Sequence, residues 1–559
     1  MINITLLKSL VVFATIVLLL LYIFSLSILR HFPIYPDEIT IRLVLSRMFY
    51  DFPTINNSLP FCESFEQSRP LAWYFPGMIG WLLDSQINSL KMLRIIGLIF
   101  NVGIITLLIW TLFRECRKLV TNNNHSSMFY WMVICIGLIL SLLSIGVLPV
   151  FLVINRNEQP IILCLIVLLS IVSAEKIQYK SAFSKTKLIV IFYAITSLLL
   201  FAHPKALLLI PVILLIAYRL FSSLKNRLLS IALMLILIFL IMLNFSAWSH
   251  AYKCSETPGM MKFLGDMTLK YQDIFYNQHH FFAQINQSLR STLEYFRKIG
   301  FQTFSEVGYL PPLQLTPIYK CVNILIRINI SILFLTLSTL LPFYSYRDFQ
   351  DKKYFSFNVL LLVLFLSACV GAIFNLTKHW YDVDYFWILL IIVFVFFIKD
   401  HLQYHLKNKI CNLIQLYLIC SGIFSLSIFL YGFAAPIKSG FQGPGIQIHN
   451  YDEKKMVYKL HEAIKNCHIN LIGSKHLILD NLTYWYFRKS KNPLLIDYVH
   501  LSYSLDKPSN YFRAIIQNSS GLITRCSSIS VKSLHYTTHI GSICCAQTNL
   551  VKKIIQNEF

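Results

Sequence analysis

Charge is what this sequence has least of. Of its 559 residues, 13% are charged and 56% are hydrophobic, where an average soluble domain carries roughly 25% charged residues. Acidic residues are scarcest, 26 Asp and Glu against 49 Lys and Arg, which leaves a net charge of +23. That balance excludes an ordinary soluble globule and selects a polytopic membrane protein. No C-x-x-C pair occurs among the 13 cysteines, so zinc sites and thioredoxin chemistry have no support from spacing. The chain also lacks a G-x-x-x-x-G-K-S/T loop, a G-x-S-x-G elbow and an H-E-x-x-H helix. Those absences exclude P-loop nucleotide hydrolysis, α/β-hydrolase chemistry and zincin proteolysis. No internal sequence repeat is detectable.

What is present is a succession of apolar runs. They fall at residues 5–28, 91–113, 128–150, 160–174, 187–201, 205–218, 228–248, 322–345, 355–375, 381–398 and 410–434, predicting about eleven transmembrane helices. The patch from Trp73 to Leu83 is too short to span and reads as interfacial or re-entrant. The first span lacks a strongly basic start and a small-residue cleavage site, so it reads as a signal-anchor.

A strongly basic chain can indicate nucleic acid, but the distribution of charge argues otherwise. Residues 114–118, 176–187, 219–227, 347–353 and 399–409 carry the basic clusters, in alternate short loops. This is the positive-inside pattern, and it predicts a cytoplasmic N-terminus and a final segment outside. The loops holding Asp37, Arg156, His203, residues 249–321 and Lys378 then share the outer face. Compact loops and short tails point to a bacterial cytoplasmic membrane.

Four regions are expected. Residues 1–248 form an N-terminal transmembrane module. Residues 249–321 form a long outer loop, in which Phe275 to Tyr295 suits a helix lying on the membrane surface. Residues 322–434 form a second transmembrane block, and residues 435–559 an extracytoplasmic α/β domain. In the last, Glu453 to Asn466 reads as an amphipathic helix, and residues 476–480, 494–497 and 521–524 as strands. Cys62, Cys254, Cys467, Cys526, Cys544 and Cys545 would face an oxidising compartment. A Cys467–Cys526 pair is possible, and the adjacent Cys544 and Cys545 read as two small buried residues. Sequons at Asn375 and Asn481 matter only in a glycosylating host.

Polar groups that carry chemistry cluster in the predicted outer loops. Asp37 and Glu38 follow the first span directly, where ionisable groups default to a functional reading. Asp37 could equally cap a helix beginning at Glu38. Arg42 lies five positions beyond Asp37. Arg69 precedes Pro70 and the aromatics Trp73, Tyr74 and Phe75, where it could also anchor to headgroups. Lys91 and Arg94 open the next span. Arg156 and Glu158 sit at the mouth of the fourth, either as site residues or as a solvated ion pair. Pro204 interrupts an apolar run between His203 and Lys205, and Lys205 can reach a phosphate or snorkel to the headgroups. Lys378, His379, Asp382 and Asp384 open the tenth span. Asp382 and Asp384 have D-x-D spacing, but alternate helical residues point apart, which disfavours a shared metal.

This order of residues resembles the GT-C membrane glycosyltransferases, specifically the branch of protein O-mannosyltransferases and lipid A aminoarabinose transferases. Members carry Asp-Glu in the first outer loop, a basic residue before a proline and aromatic cluster, and an Arg opening the next span. The resemblance covers about the first 220 residues; the terminal domain matches in position alone. It implies transfer of a sugar from a polyprenyl-phosphate carrier to a lipid, glycan or protein acceptor at the outer membrane surface. By resemblance Asp37 is the base, Glu38 its helper and Glu158 a second acidic residue. Inverting transfer needs a carboxylate to activate the attacking hydroxyl and cations to stabilise the departing phosphate. Arg42 and Arg69 suit the phosphate bidentately, with Arg156, His203, Lys205, Lys378, His379 and Asp382 as further binding candidates. No cofactor is firm; a divalent metal is possible but unsupported. The tidy His/Arg-Tyr arrangement expected near Lys378 is missing. A lipid-linked glycan transporter or flippase, and a non-catalytic scaffold of the same fold, are the rival readings.

Overall fold

Apolar segments become helices in this chain because a bilayer offers no water, so each backbone N–H and C=O has to be satisfied inside its own segment. The structure, a computed structural model, describes residues 4–31, 34, 89–119, 133, 136–142, 144, 158–173, 182–202, 204–222, 224, 226–252, 277–298, 317–374, 380–401, 408–439, 452–472, 475–487, 490, 493–495, 517–529, 534–535 and 537–550. Its helices are α1 (Ile4–Leu29), α2 (Leu90–Leu119), α3 (Glu158–Val172), α4 (Ala182–Ala202), α5 (Ile210–Phe221), α6 (Arg227–Tyr252), α7 (Gln278–Lys298), α8 (Pro317–Gln350), α9 (Phe357–Phe374), α10 (Trp380–His401) and α11 (Asn408–Ser439). Each expected span overlaps one of these, 205–218 only from Ile210 onward, except 128–150, which is helical at 133 and 136–142 where it is described. Among the described residues, four helices are long and apolar enough to cross a membrane by themselves, at Thr5–Ile28, Arg227–Phe245, Ile324–Gln350 and Phe357–Phe374. The chain is an integral membrane protein.

Two compact units result, one of Met1–His31, Arg94–Leu243 and Leu269–Gly443, the other of Phe32–Leu93, Asn244–Thr268 and Pro444–Phe559. In the first, α1 packs along α11. Lipid is as apolar as leucine, so helices associate there through close backbone approach and polar bridges. A Cβ added at Gly422 would meet the Ser141 Cα at 2.6 Å. One turn on, Ser425 Oγ donates to the Ser144 carbonyl, and Asn329 of α8 donates to Ser421 Oγ.

One arginine fixes how several helices are oriented. Arg219, in the last turn of α5, donates to the Phe355 carbonyl at 2.6 Å and to the Val172 carbonyl at 3.3 Å. Its guanidinium also lies 5.9 Å from the Phe357 ring centroid. The C-terminal ends of α3 and α5 therefore meet the N-terminal end of α9. Thr111 of α2 reaches Ser170 of α3 near the same end, at 3.3 Å.

The second unit contains the α/β domain. Helix α12 (Glu453–Asn466) starts where Asp452 accepts the Lys455 N–H at 3.0 Å, a standard N-cap. The strands β1 (His476–Leu479), β2 (Pro493–Leu495), β3 (Ser519–Arg525), β4 (Thr538–Ile540) and β5 (Ile543–Gln547) form one sheet in the order β2-β1-β3-β5-β4. β1 is parallel to β2 and β3, and β5 is antiparallel to β3 and β4. A short helix, α13 (Asn481–Phe487), follows β1.

Asp480, wholly buried between β1 and α13, is the hub of this domain. Its Oδ1 accepts from the Thr483 N–H at 2.9 Å. Its Oδ2 accepts from the Arg525 Nε at 2.9 Å, the Arg525 backbone N–H at 3.1 Å and Ser528 Oγ at 2.7 Å. Burial alone would raise this carboxyl; the Arg525 charge and the bonds from Ser528, Thr483 and Arg525 outweigh it and hold the group below its ordinary range.

Candidate active site at one end of the helical bundle

Pro204 and Pro211 bracket a break in the membrane module. Each lacks an N–H and crowds the turn before it, and between them Pro204–Leu209 is a 3₁₀ segment joining α4 to α5. Gly371 of α9 makes room for it, since a Cβ there would come within 2.8 Å of Leu208 Cδ1. Lys205 projects from this break, and its Nζ lies 5.5 Å from the centroid of the Tyr385 ring. Tyr385 is 5% exposed and sits in the second turn of α10. Lys205 and Tyr385, far apart in the chain, are thereby brought together.

The Arg219 staple says which end this is. Since it joins the end of α3, the end of α5 and the start of α9, the opposite end collects the start of α3, the start of α5 and the last turn of α9. Glu158 opens α3 there. Asp382 lies in the first turn of α10, whose Tyr385 meets Lys205. Helix α7 lies at this end too, because Ser288 Oγ donates to the carbonyl of Ile373, in the last turn of α9, at 2.7 Å. The inward face of α7 is polar, with Gln284 and Ser288 buried, while Phe282, Leu289 and Leu293 form an exposed apolar stripe. That pattern is reversed from a soluble amphipathic helix, whose apolar face turns inward.

The chain is similar in fold outline to two solved archaeal structures. One is the oligosaccharyltransferase AglB from Archaeoglobus fulgidus in complex with an inhibitory peptide and a dolichol-phosphate, at 10% identity and a TM-score of 0.41, covering 92% of this chain and 69% of that one. The other is the Archaeoglobus fulgidus oligosaccharyltransferase tethered to an acceptor peptide containing the NVT sequon, at 12% identity and a TM-score of 0.39, with the same coverage. No family model matches the sequence, and no curated protein matches it.

Of the residues singled out from sequence, Asp37, Glu38, Arg42, Arg69, Arg156, His203, Lys378 and His379 lie outside the described residues. Glu158 and Asp382 are placed by their helices, and Lys205 by its side chain. Asp382 and Asp384 both lie within α10, so the extended backbone that a D-x-D metal chelate requires is absent from that segment. Tyr385 carried no expectation from sequence, and Arg94 was expected only to open the second span. Arg94 has no exposed surface, although it lies in the second turn of a helix that runs on largely apolar from Ile95 to Phe113. A buried cation at such a position is a functional signal by itself.

Two readings of the terminal domain are corrected, and a third is narrowed. Cys467 pairs with Cys545, and Cys526 with Cys544, in place of a Cys467–Cys526 bond. Cys544 and Cys545 are buried, but as successive residues of β5 they point to opposite faces and so serve different partners. The sequon at Asn481 is closed, because Asn481 and Thr483 have no exposed surface and Thr483 Oγ1 donates to the Ile523 carbonyl at 2.7 Å.

Proposed function

We propose that this protein is a GT-C-type membrane glycosyltransferase that moves a sugar from a polyprenyl-phosphate carrier to a lipid, glycan or protein acceptor. What supports this reading is that Lys205 lies against the Tyr385 ring at the end of the helical bundle where α3 begins with Glu158 and where the first turn of α10 carries Asp382. A carrier phosphate resting at the bilayer edge needs a cation within the apolar boundary. Lys205 supplies one and is kept by the Tyr385 ring from relaxing into the headgroups. Arg94 supports the same assignment. It lies about 26 Å back along α2 from Thr111, far enough to return from the Arg219 end to the other.

In this reading Asp37 removes the proton of the attacking hydroxyl as the bond from the sugar to the carrier phosphate breaks. Glu38 and Glu158 orient the base and the acceptor, and Arg42, Arg69, Arg156, His203, Lys378 and His379 share the phosphate charge with Lys205. Loop charges assign this end outward, which makes a lipid-linked donor the available one. The α7 stripe lies at the lipid surface beside it.

The test is turnover of lipid-linked sugars by the purified protein and by Asp37→Asn, read as release of polyprenyl phosphate. Loss of release in the variant, with the fold retained, is expected; equal turnover by both removes the catalytic assignment. Movement of intact lipid-linked glycan across vesicles without release would favour a transporter.

A further inference from the structure

β4 and β5 form a tight antiparallel pair in which His539 stands opposite Cys544. Just past the end of β3, Cys526 donates its N–H to the Ser542 carbonyl at 2.9 Å, which turns its side chain toward β5. Cys526 Sγ, Cys544 Sγ and a His539 ring nitrogen consequently lie within 4.8 Å of one another. His539 Nδ1 is 4.0 Å from Cys526 Sγ, and the two sulfurs are joined as a disulfide.

The orientation of the imidazole gives this corner a second function. His539 Nε2 faces the Leu534 carbonyl oxygen at 3.2 Å, with Thr537 Oγ1 at 3.3 Å. A carbonyl can only accept, so the neutral tautomer that satisfies this contact has its hydrogen on Nε2 and a lone pair on Nδ1. That lone pair is on the ring atom facing the sulfurs. An imidazole whose far N–H is held by a backbone carbonyl, with its near nitrogen turned toward thiolate groups, is the arrangement found around protein-bound metals.

We propose that Cys526, Cys544 and His539 form a redox-gated site for a thiophilic divalent cation of the Zn²⁺ class. While oxidised, the sulfurs bond each other. A dithiol reductant converts that bond into two thiols and leaves as its own disulfide. The cation then displaces the two thiol protons to solvent and is held by two thiolates and Nδ1, a neutral centre with a fourth position open to water. A tetrahedral ion with metal–sulfur bonds near 2.3 Å sets the sulfurs about 3.8 Å apart, a displacement that side-chain rotation at half-buried Cys526 can supply. Hard cations such as Ca²⁺ and Mg²⁺ are disfavoured by this sulfur and nitrogen donor set. The other disulfide is not equivalent. Cys467 and Cys545 are 3% and 0% exposed, closed off from a reductant, whereas Cys526 reaches the surface beside exposed His539.

The test uses the full chain in detergent, oxidised and dithiol-reduced in parallel and freed of reductant without air. Each form is titrated with Co²⁺ and followed by thiolate-to-cobalt charge-transfer absorption, then by displacement with Zn²⁺. The reduced protein is expected to bind Co²⁺ and the oxidised protein not to. Cys526→Ser should abolish the difference. His539→Ala should weaken binding by about tenfold or more, while its two disulfides still form on oxidation and so report an intact fold. Equal absorption in the two redox forms, or affinity unchanged in His539→Ala, overturns the proposal.

Discussion

Lys205 Nζ lies 5.5 Å from the centroid of the Tyr385 ring, and this single relationship joins a proline-made break in one part of the chain to the start of a helix some 180 residues later. Neither residue alone defines a site. Together they place a cation against a buried aromatic face at the end of the bundle that also holds Glu158 and the last turn of α9.

Replacing Tyr385 tests whether that face positions the ammonium. Tyr385→Phe keeps the ring and should leave turnover near wild type, while Tyr385→Leu should raise KM for the polyprenyl-phosphate sugar by about 2- to 30-fold, the range a cation–π pair spans. The kcat should change less than KM. Equal effects of both substitutions would show that the hydroxyl, rather than the ring, is what matters.

Helix α7 should meet lipid along one stripe only. Tryptophan introduced as Leu289→Trp or Leu293→Trp should be quenched by brominated lipids in reconstituted vesicles, with the signal of the unsubstituted protein subtracted. Gln287→Trp, exposed on the opposite side of the helix, should be quenched far less. Uniform quenching at all three positions would remove the oriented interfacial placement.

Gly422 should not tolerate a side chain. Its Cβ would fall 2.6 Å from the Ser141 Cα, a backbone atom that cannot rotate away. Gly422→Val is expected to lower stability by about 1–3 kcal/mol, the usual cost of overpacking, seen as a lower midpoint of thermal aggregation in detergent. Phe424→Val on the same helix, at a half-exposed position, serves as the comparison and should shift little.

Asp480 should make the terminal domain acid-sensitive. Its carboxyl is held below its ordinary value of 3.8 in the folded domain, so the unfolded chain takes up the proton first as pH falls. The stabilisation is therefore complete above the ordinary carboxylate range and is lost progressively as pH drops below it. Asp480→Asn leaves Arg525 facing a neutral group in a buried setting and should cost about 3 kcal/mol at neutral pH. Denaturant unfolding can be followed through buried Trp485 by difference from Trp485→Phe. An acid profile identical in Asp480→Asn and wild type would remove this assignment.

Much of the architecture was legible because it follows from local rules. Apolar runs and a proline at 204 each act within a few residues, and α1 to α6, α8 to α11 and the break after α4 lie where they direct, while α7 and α12 follow from their mixed apolar and polar patterns. Strands β1, β2 and β3 were legible from short apolar runs between turns. Strands β4 and β5 were not, because Thr538–Ile540 is too short and Cys544 with Cys545 carries no alternation of apolar and polar residues. Of the candidate site, the residue types could be read, but which of them meet could not.

The sequence by itself determined that this is a membrane-embedded helical protein with a small terminal α/β domain, since hydropathy and charge act through the solvent each segment can enter. Tertiary structure alone decided the pairings. Arg219 selects which helix ends gather, Tyr385 comes under Lys205, Cys467 finds Cys545 rather than Cys526, and His539 turns Nδ1 toward Cys526 Sγ. Such relationships depend on distances across the fold, which no local pattern encodes.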